Sequence, residues 1–240
     1  DGYSNINFQP GIWYVMPVTR ADHMQFVGGI ANKSIIETHL FYRNLMDDIY
    51  STYHTVQPTE TPFPFTDVPE SRWSYPYIKE LYDAGVVSGT SATTFEPTAN
   101  VTRAQFVTML AGLQGADVSA YTSGKFSDVP ADAWYTPYVN WAAENGVVYG
   151  VSDTAFAPDA EISRQDMAAM LYRYAGQFGI QLGTGNPAIT FTDEADIADY
   201  ALPAVEALQR AGVISGMPDG SFRPRDTATR EQACVMLCLL

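Results

Sequence analysis

A chain of 240 residues that is 46% apolar has the material for a packed core, which excludes wholesale disorder. Its 27 acidic against 13 basic side chains leave a formal charge of -14, which argues against nucleic acid or an anionic lipid surface as partner. No run is apolar and long enough to insert in a membrane, and the start at Asp1-Gly2-Tyr3 shows no charged-then-apolar leader, so any signal peptide is expected to have been removed or to precede this sequence.

Residues 1–60 read as an N-terminal extension. Asn5-Ile6-Asn7-Phe8 alternates like a short strand, and Gly11 to Met16 is an apolar, aromatic run that Pro17 would end as a second strand. Val18-Thr19-Arg20-Ala21 then repeats residues 101–104 letter for letter, either as half of a decayed repeat or by chance. Ser34 and Glu37 form a capping box, and Ile35, Ile36, Leu40, Leu45, Met46 and Ile49 follow at helical spacing, which predicts a helix over 34–53. Three prolines between Gln57 and Pro64 mark a linker and the clearest domain boundary.

From Phe65 the sequence repeats. Phe65-Thr66-Asp67, Phe126-Ser127-Asp128 and Phe191-Thr192-Asp193 open three units, at 61–124, 125–189 and 190–240. Trp73 and Trp134 stand eight residues after their Phe, whereas the third unit has Asp199-Tyr200 in that region. A helical stretch follows, with Ile78 and Leu81, Val139 and Ala142, or Val205 and Leu208 on its apolar face. It stops at Gly85, Gly146 or Gly212, as a glycine C-cap predicts, and a second glycine comes four residues on, at Gly89, Gly150 and Gly216. Phe95-Glu96-Pro97, Phe156-Ala157-Pro158 and Phe222-Arg223-Pro224 then lead to the starts of a second helix at Thr102-Arg103, Ser163-Arg164 and Thr229-Arg230. The hydroxyl residue there is an N-cap, with Gln105, Asp166 or Gln232 at N3 to complete it. The Arg sits at N1, where the positive end of the helix dipole disfavours a cation. Two short helices cannot bury both faces alone, so neighbouring units must share a core.

These repeated residues together resemble the S-layer homology (SLH) family over residues 65–240, about three quarters of the chain. The resemblance implies a mainly α fold: three helix-loop-helix repeats in a pseudo-threefold arrangement around a central three-helix bundle, with ligand grooves between repeats. It implies export to the bacterial cell wall and non-covalent anchoring through secondary cell wall polysaccharide, in many cases one bearing a pyruvate ketal on N-acetylmannosamine. By position it assigns the groove to Arg103, Arg164 and Arg230, shaped by Asp67, Asp128, Asp193, Trp73, Trp134, Gly89, Gly150 and Gly216.

Chemistry fits the assignment. A ketal pyruvate is a carboxylate; Arg offers it a planar donor fork, and free N–H groups at the helix start are expected to add to the pull. Trp is a flat surface for a sugar ring, and Gly lets backbone donors approach. The bland alternatives are that each Arg pairs with the Asp of a Phe-x-Asp motif, clamping repeat to repeat, and that the two Trp are packing residues. Because the third unit lacks the Trp, the ligand role is assigned first to Arg103 and Arg164.

Neither catalysis nor a cofactor is expected. His23, His39 and His54 show no metal-ligand spacing, and no nucleophile elbow or phosphate-binding loop is present. Asp193, Glu194, Asp196 and Asp199 read as a solvated face rather than a metal site. Cys234 and Cys238, four apart in one helix, are expected as buried free thiols in the core. A second role, self-assembly into a surface layer through the apolar segment Phe8 to Val18 on a neighbouring copy, is compatible with anchoring.

Overall fold

The computed structural model describes the two strands at residues 4–8 and 12–16 and all of residues 63–240. The chain divides into two compact units, Asp1–Thr61 and Pro62–Leu240. In the first, β1 (Ser4–Phe8) and β2 (Ile12–Met16) pair antiparallel, with Ser4 opposite Met16 and Phe8 opposite Ile12. Both strands fall where the alternating and aromatic runs placed them. The helix expected over 34–53 and the motif at Arg20 lie outside the described residues.

The second unit is built of helix pairs. The first helix of each pair, α1 (Tyr75–Asp83), α3 (Thr136–Glu144) or α5 (Leu202–Ala211), carries a Pro in its opening turn, where no intrahelical N–H is needed. Each buries the stripe its spacing predicts: Ile78 and Leu81, Val139 and Ala142, or Val205 and Leu208. In the third repeat a 3-10 turn, Glu194–Asp196, precedes the helix.

The second helices are α2 (Arg103–Gln114), α4 (Arg164–Gln177) and α6 (Arg230–Cys238). Their apolar residues do not keep to one face, and α2 buries Ala104, Phe106, Val107, Met109, Leu110 and Ala111. A helix apolar on most sides belongs in the interior. These three form the centre, each packed on the first helix of the following repeat: α2 on α3, α4 on α5, and α6 back on α1.

A ring of three backbone bonds closes the repeats at the axis. The Val101 N–H donates to Ala228, the Ala228 N–H to Ile162 and the Ile162 N–H to Val101, each at 3.0 Å. The side chains of all three are fully buried. Around the ring, each repeat keeps a Phe pair in contact: Phe65 with Phe95, Phe126 with Phe156 and Phe191 with Phe222, ring centres 5.4–5.5 Å apart. Each buried ring contributes roughly 2–3 kcal/mol.

Both cysteines are free. Cys234 is fully buried, and Cys238 is partly buried with its thiol on the Tyr77 carbonyl. Burial pushes their thiols up to about 12 and about 11, so both stay protonated and unreactive at neutral pH.

Candidate repeat-junction clefts

The three arginines share one arrangement. Each Nε donates to the carbonyl of the Phe in the next repeat's Phe-x-Pro: Arg103 to Phe156 at 2.8 Å, Arg164 to Phe222 at 2.8 Å and Arg230 to Phe95 at 2.9 Å. Each guanidinium also lies over the ring of that Phe, with Cζ 4.4–5.0 Å from its centre. Arg103 and Arg230 are buried and Arg164 partly so. Desolvation lowers all three pKa values, but an arginine keeps its charge at any working pH.

The helix starts correct one expectation. Their first N–H groups are not free for a ligand. Those of Arg103 and Ala104 donate to Ala160 and Pro158, those of Arg164 and Gln165 to Asp226 and Pro224, and those of Arg230 and Glu231 to Ala99 and Pro97. The N3 groups are taken by the cap hydroxyls of Thr102, Ser163 and Thr229. Neighbouring repeats cap these helices, so an anion at the cleft finds no free N–H in their first turn.

Nor do the arginines pair with the Phe-x-Asp carboxylates. Asp67 accepts the N–H groups of Phe95 and Glu96, Asp128 those of Phe156 and Ala157, and Asp193 those of Phe222 and Arg223, at 2.7–2.9 Å. Each carboxylate thus grips the Phe-x-Pro turn of its own repeat, whose middle residue stands at a positive φ of 56–57°. The glycines have a packing reason of their own. A Cβ on Gly150 or Gly216 would come within 2.6 Å of the ring of Phe126 or Phe191, and one on Gly89 would run into Phe65.

Trp73 and Trp134 are not packing residues, for 57% and 58% of their surfaces lie in water. Trp134 helps enclose a cleft of about 220 Å3 with Gly89, Gln105, Met109 and Arg230. Three repeats therefore meet at one cleft: the arginine comes from the third, the Gly loop and the helix from the first, and the Trp from the second. Arg230 also donates from Nη2 to the Ser88 carbonyl at 2.9 Å. Among the described residues neither Arg230 nor Arg164 forms an ion pair.

The positions that correspond around the pseudo-threefold axis put Arg103 with the loop at Gly150, Asp166 and Tyr200. Arg164 goes with the loop at Gly216, Gln232 and Trp73. The odd wall at Tyr200 thus stands beside Arg103 and not beside Arg230, the arginine of its own repeat. Asp166 also departs from its expected role. Ser163 caps the Asp166 N–H, but the Asp166 carboxylate does not return to the backbone as Gln105 and Gln232 do. It accepts instead from the Tyr200 hydroxyl at 2.7 Å and from Arg103 at 3.4 Å.

A junction that sequence reasoning missed is the Arg72–Glu231 pair. Two guanidinium nitrogens of Arg72, Nε and Nη2, and the Ser74 hydroxyl donate to the Glu231 carboxylate at 2.7–2.9 Å, joining the first repeat to the third. No signal in a single repeat could have found it, since Glu231 has Ala104 and Gln165 as counterparts.

No group of metal-binding side chains occurs among the described residues, and no helix there is long and apolar enough to cross a membrane.

Comparison with known proteins agrees with the architecture. The S-layer homology domain profile matches residues 64–107, 125–168 and 190–234. An endoglucanase of Bacillus sp. (strain KSM-635) is 36% identical over 187 residues, 78% of this chain and 20% of that protein. An S-layer protein of Bacillus thuringiensis subsp. finitimus is 28% identical over 169 residues, 70% of this chain and 20% of that protein. The cellulosome-anchoring protein of Acetivibrio thermocellus is 29% identical over 182 residues, 72% of this chain and 38% of that protein. The chain spans a fifth or less of the first relatives it matches.

Proposed function

The chain belongs to the S-layer homology family, and on that premise we propose that it holds an exported protein non-covalently at the bacterial cell surface. It does so by binding secondary cell wall polysaccharide, one bearing a pyruvate ketal, in the clefts between repeats. The observation that carries this is the state of Arg230. This buried cation hydrogen-bonds two neutral carbonyls, forms no ion pair among the described residues, with Glu96 and Asp67 acting on it only from a distance, and stands in a cleft edged by an exposed Trp. An acidic sugar supplies both the missing charge and an apolar face for the indole. The likeness to an S-layer protein and to a cellulosome-anchoring protein supports a surface address, and the match to part of an endoglucanase fits an anchoring segment within a longer chain.

The Arg230 cleft is small, so single-site affinity is modest and several such sites on one polymer raise it by avidity. We read these residues as a binding module with no reaction of their own. Cell-wall sacculi that retain their polysaccharide are expected to pull the chain down, and sacculi stripped to peptidoglycan are not. Equal capture by both ends the proposal.

The paired strands favour a second role for residues 1–60. A two-stranded sheet is marginal by itself, and among the described residues no third strand pairs with its outer edges, which would suit a strand of another copy. Deleting residues 1–33 should then abolish ordered polymers formed without polysaccharide. Unchanged assembly of the truncated chain would count against it.

A further inference from the structure

The three arginine junctions share one arrangement but differ in the charge set beside it. At Arg164 and Arg230 the N3 residue of the helix beside the cleft is Gln232 or Gln105, whose side-chain oxygen is turned away onto the backbone N–H of its own N-cap. At Arg103 the N3 residue is Asp166. Its carboxylate faces the guanidinium at 3.4 Å and is steadied from the other side by the Tyr200 hydroxyl at 2.7 Å. Tyr200 replaces the Trp that flanks the other two clefts.

We infer that the Arg103 cleft carries its own counter-ion, the Asp166 carboxylate, and so refuses an anionic sugar, leaving Arg164 and Arg230 as the two anion-reading positions. The inference rests on the proposed recognition of an acidic polysaccharide and adds which clefts perform it.

Three further features agree. Burial, and after it the bond to Asp166, pushes the Tyr200 phenol up to about 12, so at neutral pH it keeps its proton and donates it to the Asp166 carboxylate. Arg103 is 4% exposed, its Nε is committed to Phe156, and its nearest carboxylate is already at hand, so an incoming carboxylate gains little there and meets Asp166 as a like charge. Arg173, the other cation near this cleft, lies over the Tyr149 ring with Cζ at 4.6 Å, and water partly screens its charge.

Titration calorimetry of the full chain with a monovalent probe, a pyruvate-ketal N-acetylmannosamine glycoside, counts the sites without avidity. Two per chain are expected for the wild type. Asp166→Gln places the residue of the other two repeats at this position, restores its capping partner and removes the like charge; it should raise the count to three. Asp166→Asn, closest in shape, guards against a folding failure and should do the same, with circular dichroism confirming the fold. Three sites in the wild type, or two in both variants, overturns the inference while the anion reading survives. Binding to none of the clefts, in any variant, overturns both.

Discussion

A cation at the first turn of a helix is unfavourable by up to about 1 kcal/mol. In this protein the next repeat compensates it, with a carbonyl for Nε and an aromatic face for the guanidinium plane. The Phe-x-Asp carboxylates are residue-scale devices of the same kind, each satisfying two N–H groups of a turn. At Asp128 desolvation alone would raise the carboxyl pKa, but donation from Phe156 and Ala157 outweighs it and holds the value below that of an ordinary aspartate. A depressed folded value means the unfolded chain binds the extra proton, so the contribution is complete above the unfolded pKa of about 3.9 and is lost as pH falls through the folded value. Asp128→Asn turns an amide N–H2 towards one of those donors. It should cost about 1 kcal/mol at neutral pH, the low end for a lost hydrogen bond because Asp128 is exposed. The variant's urea midpoint should also fall less between pH 5 and pH 2 than that of the wild type. Parallel slopes in that window would remove Asp128 from the acid response.

At the scale of the element, each Gly-Val-x-x-Gly loop serves two masters: it ends one helix and it makes room for a Phe. Gly150 shows the second demand, since it combines φ of 93° with a Cβ that would lie 2.5 Å from the Ala155 carbonyl and 2.6 Å from the Phe126 ring. Gly179 has φ of 70° and open space around it. Gly150→Ala should therefore cost roughly 2–4 kcal/mol, from backbone strain together with overpacking, against about 1 kcal/mol for Gly179→Ala from strain alone. Equal losses in urea titrations of the two variants would mean the contact with Phe126 relaxes freely. Helices, caps and these glycines were legible in the sequence because their signals are local, a hydroxyl three residues before its partner or a glycine at a helix end. Asp166 reads in the sequence as a cap partner like Gln105 and Gln232, and where its carboxylate goes instead was not legible. Asp is one methylene shorter than Gln, and the partners that draw its carboxylate away from the cap stand 34 and 63 residues off.

At the scale of the whole molecule, closure of the ring decides which residues meet. A linear reading assigns each Arg to its own repeat's Trp. In the ring an Arg reaches the loop of the next repeat and the wall of the one after, and for that reason the sequence paired Tyr200 with the wrong arginine. Closure also rests on contacts between the two ends of the repeat array: Arg230 to Phe95, 135 residues apart, and Arg72 to Glu231, 159 apart. Glu231 is 7% exposed and accepts three bonds, whereas the Arg72 side chain keeps 24% of its surface in water. Glu231→Ala leaves Arg72 and Ser74 without their acceptor, and should cost about 2–3 kcal/mol, below the full range for a broken buried pair because Arg72 can turn to solvent. Replacing both partners together, Arg72→Met with Glu231→Leu, removes the desolvation penalty as well and should cost less than half as much. In an open array, stability is a sum over neighbours and an end repeat frays first. In a closed ring every repeat has two neighbours, so the wild type should unfold over 62–240 in one urea transition by far-UV circular dichroism. Glu231→Ala, by weakening the closing junction alone, should broaden that transition as well as shift it, while Asp128→Asn, within one repeat, should shift it only. A shift without broadening for Glu231→Ala would show that the axial ring of Val101, Ile162 and Ala228 keeps the array closed without the ion pair.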